Sequence, residues 1–175
     1  MKDSGFMSNS NMRVQTERLV LRIPCLEDTA DVFSIHSNPE TNNHNPAGPM
    51  KHLDEARERV AGWVNDWTRN GIGYWTVIEG LHNKVIGVSG VRVMEWSGRK
   101  ILNLYYRYGP EAWGKGYATE VAQEALRAAQ SYQPDLPIVS RTRPTNVPAM
   151  RVAERIGLHR RPDLDTEHAV YVSRW

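Results

Sequence analysis

The sequence has one cysteine, two phenylalanines, five lysines and no run of 18 apolar residues. Each scarcity excludes something. A lone thiol, Cys25, rules out an internal disulfide and a cysteine zinc cluster. A reducing, cytoplasmic setting fits, and Cys25, directly after Pro24, reads as a small buried hydrophobe. Without an apolar run of membrane length, no spanning helix and no membrane partner are expected. The opening stretch Met1–Met12 is polar with no apolar centre, so it reads as neither signal peptide nor anchor, and residues 1–15 are expected to form a flexible tail. A dominant charge is lacking too: 22 basic residues meet 20 acidic ones for a net +2, too balanced for a nucleic-acid partner. The basic set holds 17 arginines, a bias that composition and solvated surface explain before phosphate binding does. The six histidines have no metal-ligand spacing, and no metal is expected.

What remains, 175 residues of which 40% are hydrophobic, suffices for one domain with its own core. Leu19–Ile23 reads as a strand stopped by Pro24, and Leu26–Ser37 as a short helix. Leu53, Ala56, Val60, Trp63, Val64 and Trp67 recur at helical spacing, which predicts a helix over about 51–70 closed by Asn70-Gly71. Trp63, Trp67 and Trp75 read as core. Gly73–Glu79, Lys84–Met94 and Ile101–Tyr108, with tight links between them, predict an antiparallel meander. Beyond Pro110, Ala118, Val121, Ala122, Ala125, Leu126 and Ala129 lie on one helix face. Pro137–Thr142 follows as a strand, Asn146–Ile156 as a helix ended by Gly157, and Ala169–Trp175 as a closing strand. Consecutive strands followed by alternating elements predict an α/β (α+β mixed) fold: a mixed, mostly antiparallel sheet flanked by helices.

The chemically informative stretch is Gly109-Pro110-Glu111-Ala112-Trp113-Gly114-Lys115-Gly116-Tyr117-Ala118-Thr119-Glu120, joining a strand to the start of the strongest helix. Such a turn gathers unpaired N–H groups at the positive end of a helix dipole, an anion site. Gly114 and Gly116 let the backbone approach a phosphate, and Lys115 adds charge. Glycines that serve only an ordinary turn would give the same Gly-Lys-Gly. A nucleotide-triphosphatase loop, G-x-x-x-x-G-K-[ST], is nearly satisfied but fails: Gly116 replaces the metal-binding hydroxyl, Pro110 removes an N–H, and no later strand ends in an acid.

Trp113-Gly114-Lys115-Gly116-Tyr117-Ala118-Thr119-Glu120, after a Tyr-bearing strand, resembles the acetyl-CoA pyrophosphate loop of the GNAT N-acetyltransferases, most closely the RimJ/RimL-type branch. Asn146-Val147-Pro148-Ala149 through Glu154-Arg155-Ile156-Gly157-Leu158 resembles that branch's Asn-x-x-Ser…Glu-Lys-x-Gly-Phe segment, and Thr16–Arg22 its first strand. The resemblance implies one GNAT domain over residues 16–175, splayed between its fourth and fifth strands, Ile101–Tyr108 and Pro137–Thr142. It implies acetyl-CoA as co-substrate, held by Gly114, Lys115, Gly116, Tyr117, Ala118 and Thr119 with Trp113 beside them. Tyr106, Arg107 and Tyr108 would pair with the pantetheine arm, and strand N–H groups near Tyr105 or Tyr106 would face the thioester oxygen. Asn146 would offer its amide to the cofactor, cap the last helix, or both. Arg151 and Arg155 share a helix face that either reaches the 3′-phosphate or is simply solvated.

The branch's usual catalytic groups are not at their usual places. The general-base Glu is matched by Asn103, the Tyr acid by Ala153 and the Ser by Ala149. An amide cannot act as a base, though it can position a water. Asn103 and His44 are therefore the catalytic candidates, and Asn43, His44 and Asn45, between the first two helices, the candidate contacts to the acceptor. The implied reaction is direct acetyl transfer to a primary amine, of a protein N-terminus or a small molecule, by a monomer or homodimer. The alternative is a CoA-binding regulatory or interaction module without efficient transfer.

Overall fold

Arg13–Gln15 forms the first strand, β1, antiparallel to β2 (Leu19–Arg22), in the computed structural model, which describes residues 12–175. This corrects part of the expected tail. Val14 pairs with Leu21 and packs on the core, so pairing and burial hold a segment too short to announce itself by periodicity. Residues 1–11 lie outside the described residues.

A 3-10 turn over Leu26–Asp28 leads into α1 (Thr29–Ser37), and α2 spans Leu53–Asn70. Glu55 in the first turn of α2 accepts from the N–H groups of Lys51 and His52, and Gly71 closes the helix by donating to Trp67 O at 2.9 Å. The meander follows as β3 (Tyr74–Glu79), β4 (Lys84–Trp96) and β5 (Arg99–Tyr108). The chain continues as α3 (Tyr117–Tyr132), β6 (Ile138–Thr142), α4 (Val147–Arg155), β7 (His159–Arg160) and β8 (Ala169–Val172). Asn146 caps α4 by accepting from Ala149 N at 3.3 Å.

The eight strands form one sheet in the order β1-β2-β3-β4-β5-β6-β8-β7. All neighbours are antiparallel except β5 and β6. Helix α3 lays Val121, Ala122, Ala125 and Ala129 against one face, sharing a cluster with Leu21, Val77, Leu104 and Tyr108. The opposite face carries α1 and α2 through Val32, Ala56, Val60 and Trp63 packed on Tyr74 and Val88. Burying a side chain such as Val121 contributes about 1.5–3 kcal/mol, so these two faces fix where the strand ends must lie.

One break in the sheet matters most. The parallel pair β5/β6 is joined only at Leu102↔Ile138 and Asn103↔Val139, with Leu102 N donating to Pro137 O at 2.9 Å. Beyond it the two strands separate, as expected for the fourth and fifth strands, which β1 renumbers as β5 and β6.

Candidate active site

The chain leaves β5 through a 3-10 turn, Pro110–Ala112, and enters α3 by way of Trp113, Gly114, Lys115 and Gly116. Gly114 and Gly116 have φ of +72° and +80°, in the left-handed region that side chains with a Cβ avoid. Ala112 N and Trp113 N bond to Gly109 O and Pro110 O, and the next bonded N–H is that of Glu120, to Gly116 O at 3.1 Å. Between them, the six N–H groups from Gly114 to Thr119 donate to no acceptor among the described residues.

The N-terminal strands orient this loop. Arg18 Nη1 donates to the carbonyl of Lys115 at 2.7 Å. In a trans peptide the N–H points opposite to the C=O, so the Gly116 N–H faces away from Arg18. Arg18 also pairs with Glu120 at 2.7 Å and lies 4.6 Å over the Tyr117 ring, while Thr16 Oγ1 donates to Glu120 Oε1 at 2.6 Å. Burial alone would raise the Glu120 carboxyl, but the bonds from Thr16 and Arg18 hold it below its ordinary value. Its charge is thus taken up by Arg18 beside the free N–H groups.

The edge of β5 facing the break is equally unfilled. Because Leu102 N points to β6 and Gly109 N points to β4, alternation makes Leu104, Tyr106 and Tyr108 present their backbone groups to the open side. The Asn103↔Val139 parallel pairing takes the Leu104 N–H to Val139 O, and Trp113 Nε1 caps Tyr108 O at 3.0 Å, which leaves the Leu104 carbonyl and both backbone groups of Tyr106 free over about 7 Å of strand. The backbone groups of Tyr105 and Arg107 face β4 instead. Of the two N–H groups expected to meet a thioester oxygen, Tyr106 is available and Tyr105 is not. The Tyr106 hydroxyl crosses to Ala149 O on α4 at 2.6 Å, and burial raises its pKa to about 12. A tyrosine from β5 therefore reaches the first turn of α4 at Ala149.

On the other face of β5 lie Asn103, Tyr105 and Arg107. Asn103 Nδ2 donates to the Tyr74 hydroxyl at 2.7 Å, and burial raises Tyr74 to about 12, so the hydroxyl stays protonated. Tyr105 stacks on Tyr74 at 5.0 Å, and its hydroxyl bonds His36 Nε2 at 3.0 Å. His36 Nδ1 sits 2.8 Å from Val32 O and must donate there, so Nε2 accepts from Tyr105. Burial, reinforced by Arg107, lowers His36 to about 3 and keeps it neutral. Arg107 donates to Asn42 Oδ1 at 3.1 Å.

The candidate acceptor residues gather elsewhere. Asn43, His44, Asn45 and Pro46 line a cleft of about 240 Å3 with Arg143 and Thr145, and His44 Nδ1 meets Thr145 Oγ1 at 3.1 Å. Asn45 is engaged with Asn42 and Gly48, holding the loop's own turn. His44 and Asn103 share no hydrogen bond: one is tied to the loop before α4, the other to Tyr74. The amide N–H groups of Asn146 have no acceptor among the described residues while its oxygen caps α4. Arg151 and Arg155 are exposed. Tyr74, His36, Arg92 and Arg141 carry no sequence signal; register and packing alone bring them to Asn103. Among the described residues no group of three His, Cys, Asp or Glu is placed to hold a metal, and no helix is long and apolar enough to cross a membrane.

Residues 18–159 match the family pattern of the acetyltransferase (GNAT) domain. An uncharacterized N-acetyltransferase of Bacillus licheniformis, p20, is 25% identical over 83% of this chain and 81% of its own length. The crystal structure of an acetyltransferase from Agrobacterium tumefaciens superposes with a TM-score of 0.80 at 25% identity, covering 95% of this chain and 96% of that one. RimL, a ribosomal L7/L12 alpha-N-protein acetyltransferase solved with coenzyme A, shares the fold with a TM-score of 0.73 at 15% identity over 92% of this chain and 97% of its own. With the splayed sheet and the free-amide loop, these matches place the chain, as an enzyme, in the GNAT acetyltransferase family.

Proposed function

We propose that residues 16–175, extended at the front by β1, form one acetyl-CoA-dependent N-acetyltransferase domain acting on a primary amine. The observation that carries this reading is the run of six N–H groups, Gly114–Thr119, without an acceptor among the described residues, at the end of a strand whose Tyr106 edge is also unpaired. A diphosphate fits the first and an amide-bearing arm the second. RimL, of the same fold, was solved with coenzyme A. Acetyl-CoA supplies an acetyl group already activated as a thioester. Gly114–Thr119 hold its diphosphate, the Leu104 carbonyl and Tyr106 pair with its arm, and Asn146 offers its free amide to the same arm.

The chemical demands on the protein are few. The acceptor must lose a proton, its nitrogen must reach the carbonyl carbon, and negative charge gathering on the carbonyl oxygen needs a donor. The N–H of Tyr106, fixed by the strand, supplies that donor without reorganisation. Asn103 locks the Tyr74 hydroxyl rather than accepting a proton. Holding the two reactants in one cleft supplies much of the rate. The C–S bond breaks as the C–N bond forms, and the amine proton ends on the departing sulfur or in water. His44 and Asn43, in their own cleft with Arg143 and Thr145, are the contacts to the body of the acceptor.

The test is acetyl-CoA with a panel of primary amines, following thiol release and the mass of the products. Amine-dependent thiol release with one acetyl group added to the amine is expected. Tight acetyl-CoA binding without transfer to any amine would contradict the reading and favour the non-catalytic module.

A further inference from the structure

At the closed end of the break between β5 and β6, two half-buried guanidinium groups, Arg92 and Arg141, lie on one face of the sheet. Arg92 on β4 is the cross-strand partner of Asn103 on β5, which in turn pairs with Val139 on β6. Arg141 lies two residues beyond Val139, on the same face of β6. Its side chain turns back across β5 to β4, with Nη2 4.0 Å from Met94 Sδ and its guanidinium carbon 5.4 Å over the Trp96 ring. Arg92 lies 5.6 Å over the Tyr74 ring, whose hydroxyl Asn103 holds. Arg107, on the same face of β5 further toward the open end, lies 6.0 Å over the Tyr105 ring.

Carboxylates do not match this charge. Asp66 on α2 pairs with Arg92 at 3.1 Å. Among the described residues Arg141 has no carboxylate within ion-pair distance, and the polar partner of Arg107 is the neutral Asn42. The Nε atoms of Arg92 and Arg141 are both buried without a partner. These guanidiniums are therefore partly dehydrated yet incompletely bonded, the condition in which an anion reaching their remaining N–H groups is held most strongly. Helices α1 and α2 cover Tyr74, Val88 and Tyr105, so Arg141 and Trp96 lie on the part of this face beyond the helices.

Resting on the acetyl-transfer reading, we infer that the acceptor is a small amine carrying its own anion, a carboxylate or a phosphate, seated on Arg141 with Arg92 behind it, and not a polyamine. The amine then lies at the open end of the Leu104–Tyr106 edge, where the thioester is expected. The same charges act on the nitrogen. Cations nearby disfavour an ammonium and favour the free amine, which lightens the task left by the absent glutamate at Asn103. A guanidinium also matches the two oxygens of a carboxylate or phosphate in a fork that a lysine would lack. Arg141 is in this account a binding residue that sets specificity.

The test measures binding and transfer separately with four amines of one size: β-alanine, phosphoethanolamine, ethanolamine and ethylenediamine. Calorimetry is run on the protein saturated with coenzyme A, and thiol release with acetyl-CoA. At least about tenfold tighter binding of one anionic amine over ethanolamine is expected, with ethylenediamine weakest. Whether β-alanine or phosphoethanolamine leads identifies the anion. Arg141→Met, which keeps an apolar stem against Trp96, should erase the preference without altering coenzyme A affinity, and Arg141→Lys should restore part of it. Equal or better binding of the neutral or dicationic amine by the unaltered protein overturns the inference whether or not the variants fold. Arg141-dependent binding without thiol release would uphold the anion site and count against acetyl transfer alone.

Discussion

Lowering the pH from 7 to 5 protonates His36 in the unfolded chain long before it does so in the folded protein. The imidazole is 1% exposed, bonded through Nδ1 to Val32 O and through Nε2 to Tyr105, and its folded pKa is about 3 against an ordinary 6.5. A histidine with a depressed folded pKa binds fewer protons folded than unfolded. Stability is therefore complete above pH 6.5, falls as the pH drops through that value, and stops falling near pH 3. At pH 5 the unfolded chain has about 1.5 pH units of protonation that the folded state refuses, or about 2 kcal/mol at 1.36 kcal/mol per unit. Urea unfolding of the protein and of His36→Gln at pH 7, 6 and 5 isolates this contribution, because Asp28, Glu120 and other acidic groups titrate in both. The variant should start less stable by about 1–3 kcal/mol, since it loses a fitted pair of buried hydrogen bonds. The gap should then narrow by about 2 kcal/mol on going to pH 5. Parallel stability curves for the two proteins would refute the assignment of a buried neutral imidazole.

Gly116→Glu should abolish acetyl-CoA binding while the fold persists, because it puts a carboxylate among the free N–H groups at φ +80°. Gly116→Ala, whose Cβ would meet Arg18 only at 3.6 Å, should lose about 1 kcal/mol of stability and keep measurable binding; equal affinity for Gly116→Glu and the parent by calorimetry would remove the loop from the site. Asn103→Ala leaves the buried Tyr74 hydroxyl without its donor and should cost about 1–3 kcal/mol in urea unfolding. The same variant should lower kcat with little change in the KM for acetyl-CoA, and an unchanged kcat would leave Asn103 as scaffold alone.

The elements legible in the sequence are those whose information is local. The face of α3 repeats at helical spacing, Asn70-Gly71 closes α2, and Asn146 caps α4, each decided within a turn or two of chain. The glycine loop is local as well: two positive-φ positions and a helix start specify it. What escaped depends on partners distant in sequence. Strand β1 exists because Val14 meets Leu21, and β7 is two residues held by β8. Which side of β5 each backbone group faces follows from a single bond, Leu102 N to Pro137 O, so Tyr105 was indistinguishable from Tyr106 until that pairing was known. The arginine surplus points to Arg151 and Arg155 by helix spacing, yet both are exposed. The arginines that orient the loop and crowd Asn103 are Arg18, Arg92 and Arg141, brought there by register across three separate strand pairings. His44 reads as a loop residue between the first two helices, and its contact is Thr145, on the loop before α4, rather than Asn103.

Amide hydrogen exchange with and without acetyl-CoA addresses the central claim most directly, because that claim concerns named N–H groups. The N–H groups of Gly114–Thr119 and Tyr106 have no acceptor among the described residues, so they should exchange quickly alone and slow together when acetyl-CoA is added. Those of Tyr105 and Arg107, already paired with β4, should change little. Exchange at Gly114–Thr119 that is indifferent to acetyl-CoA, with protection arising elsewhere in the chain, would contradict the account.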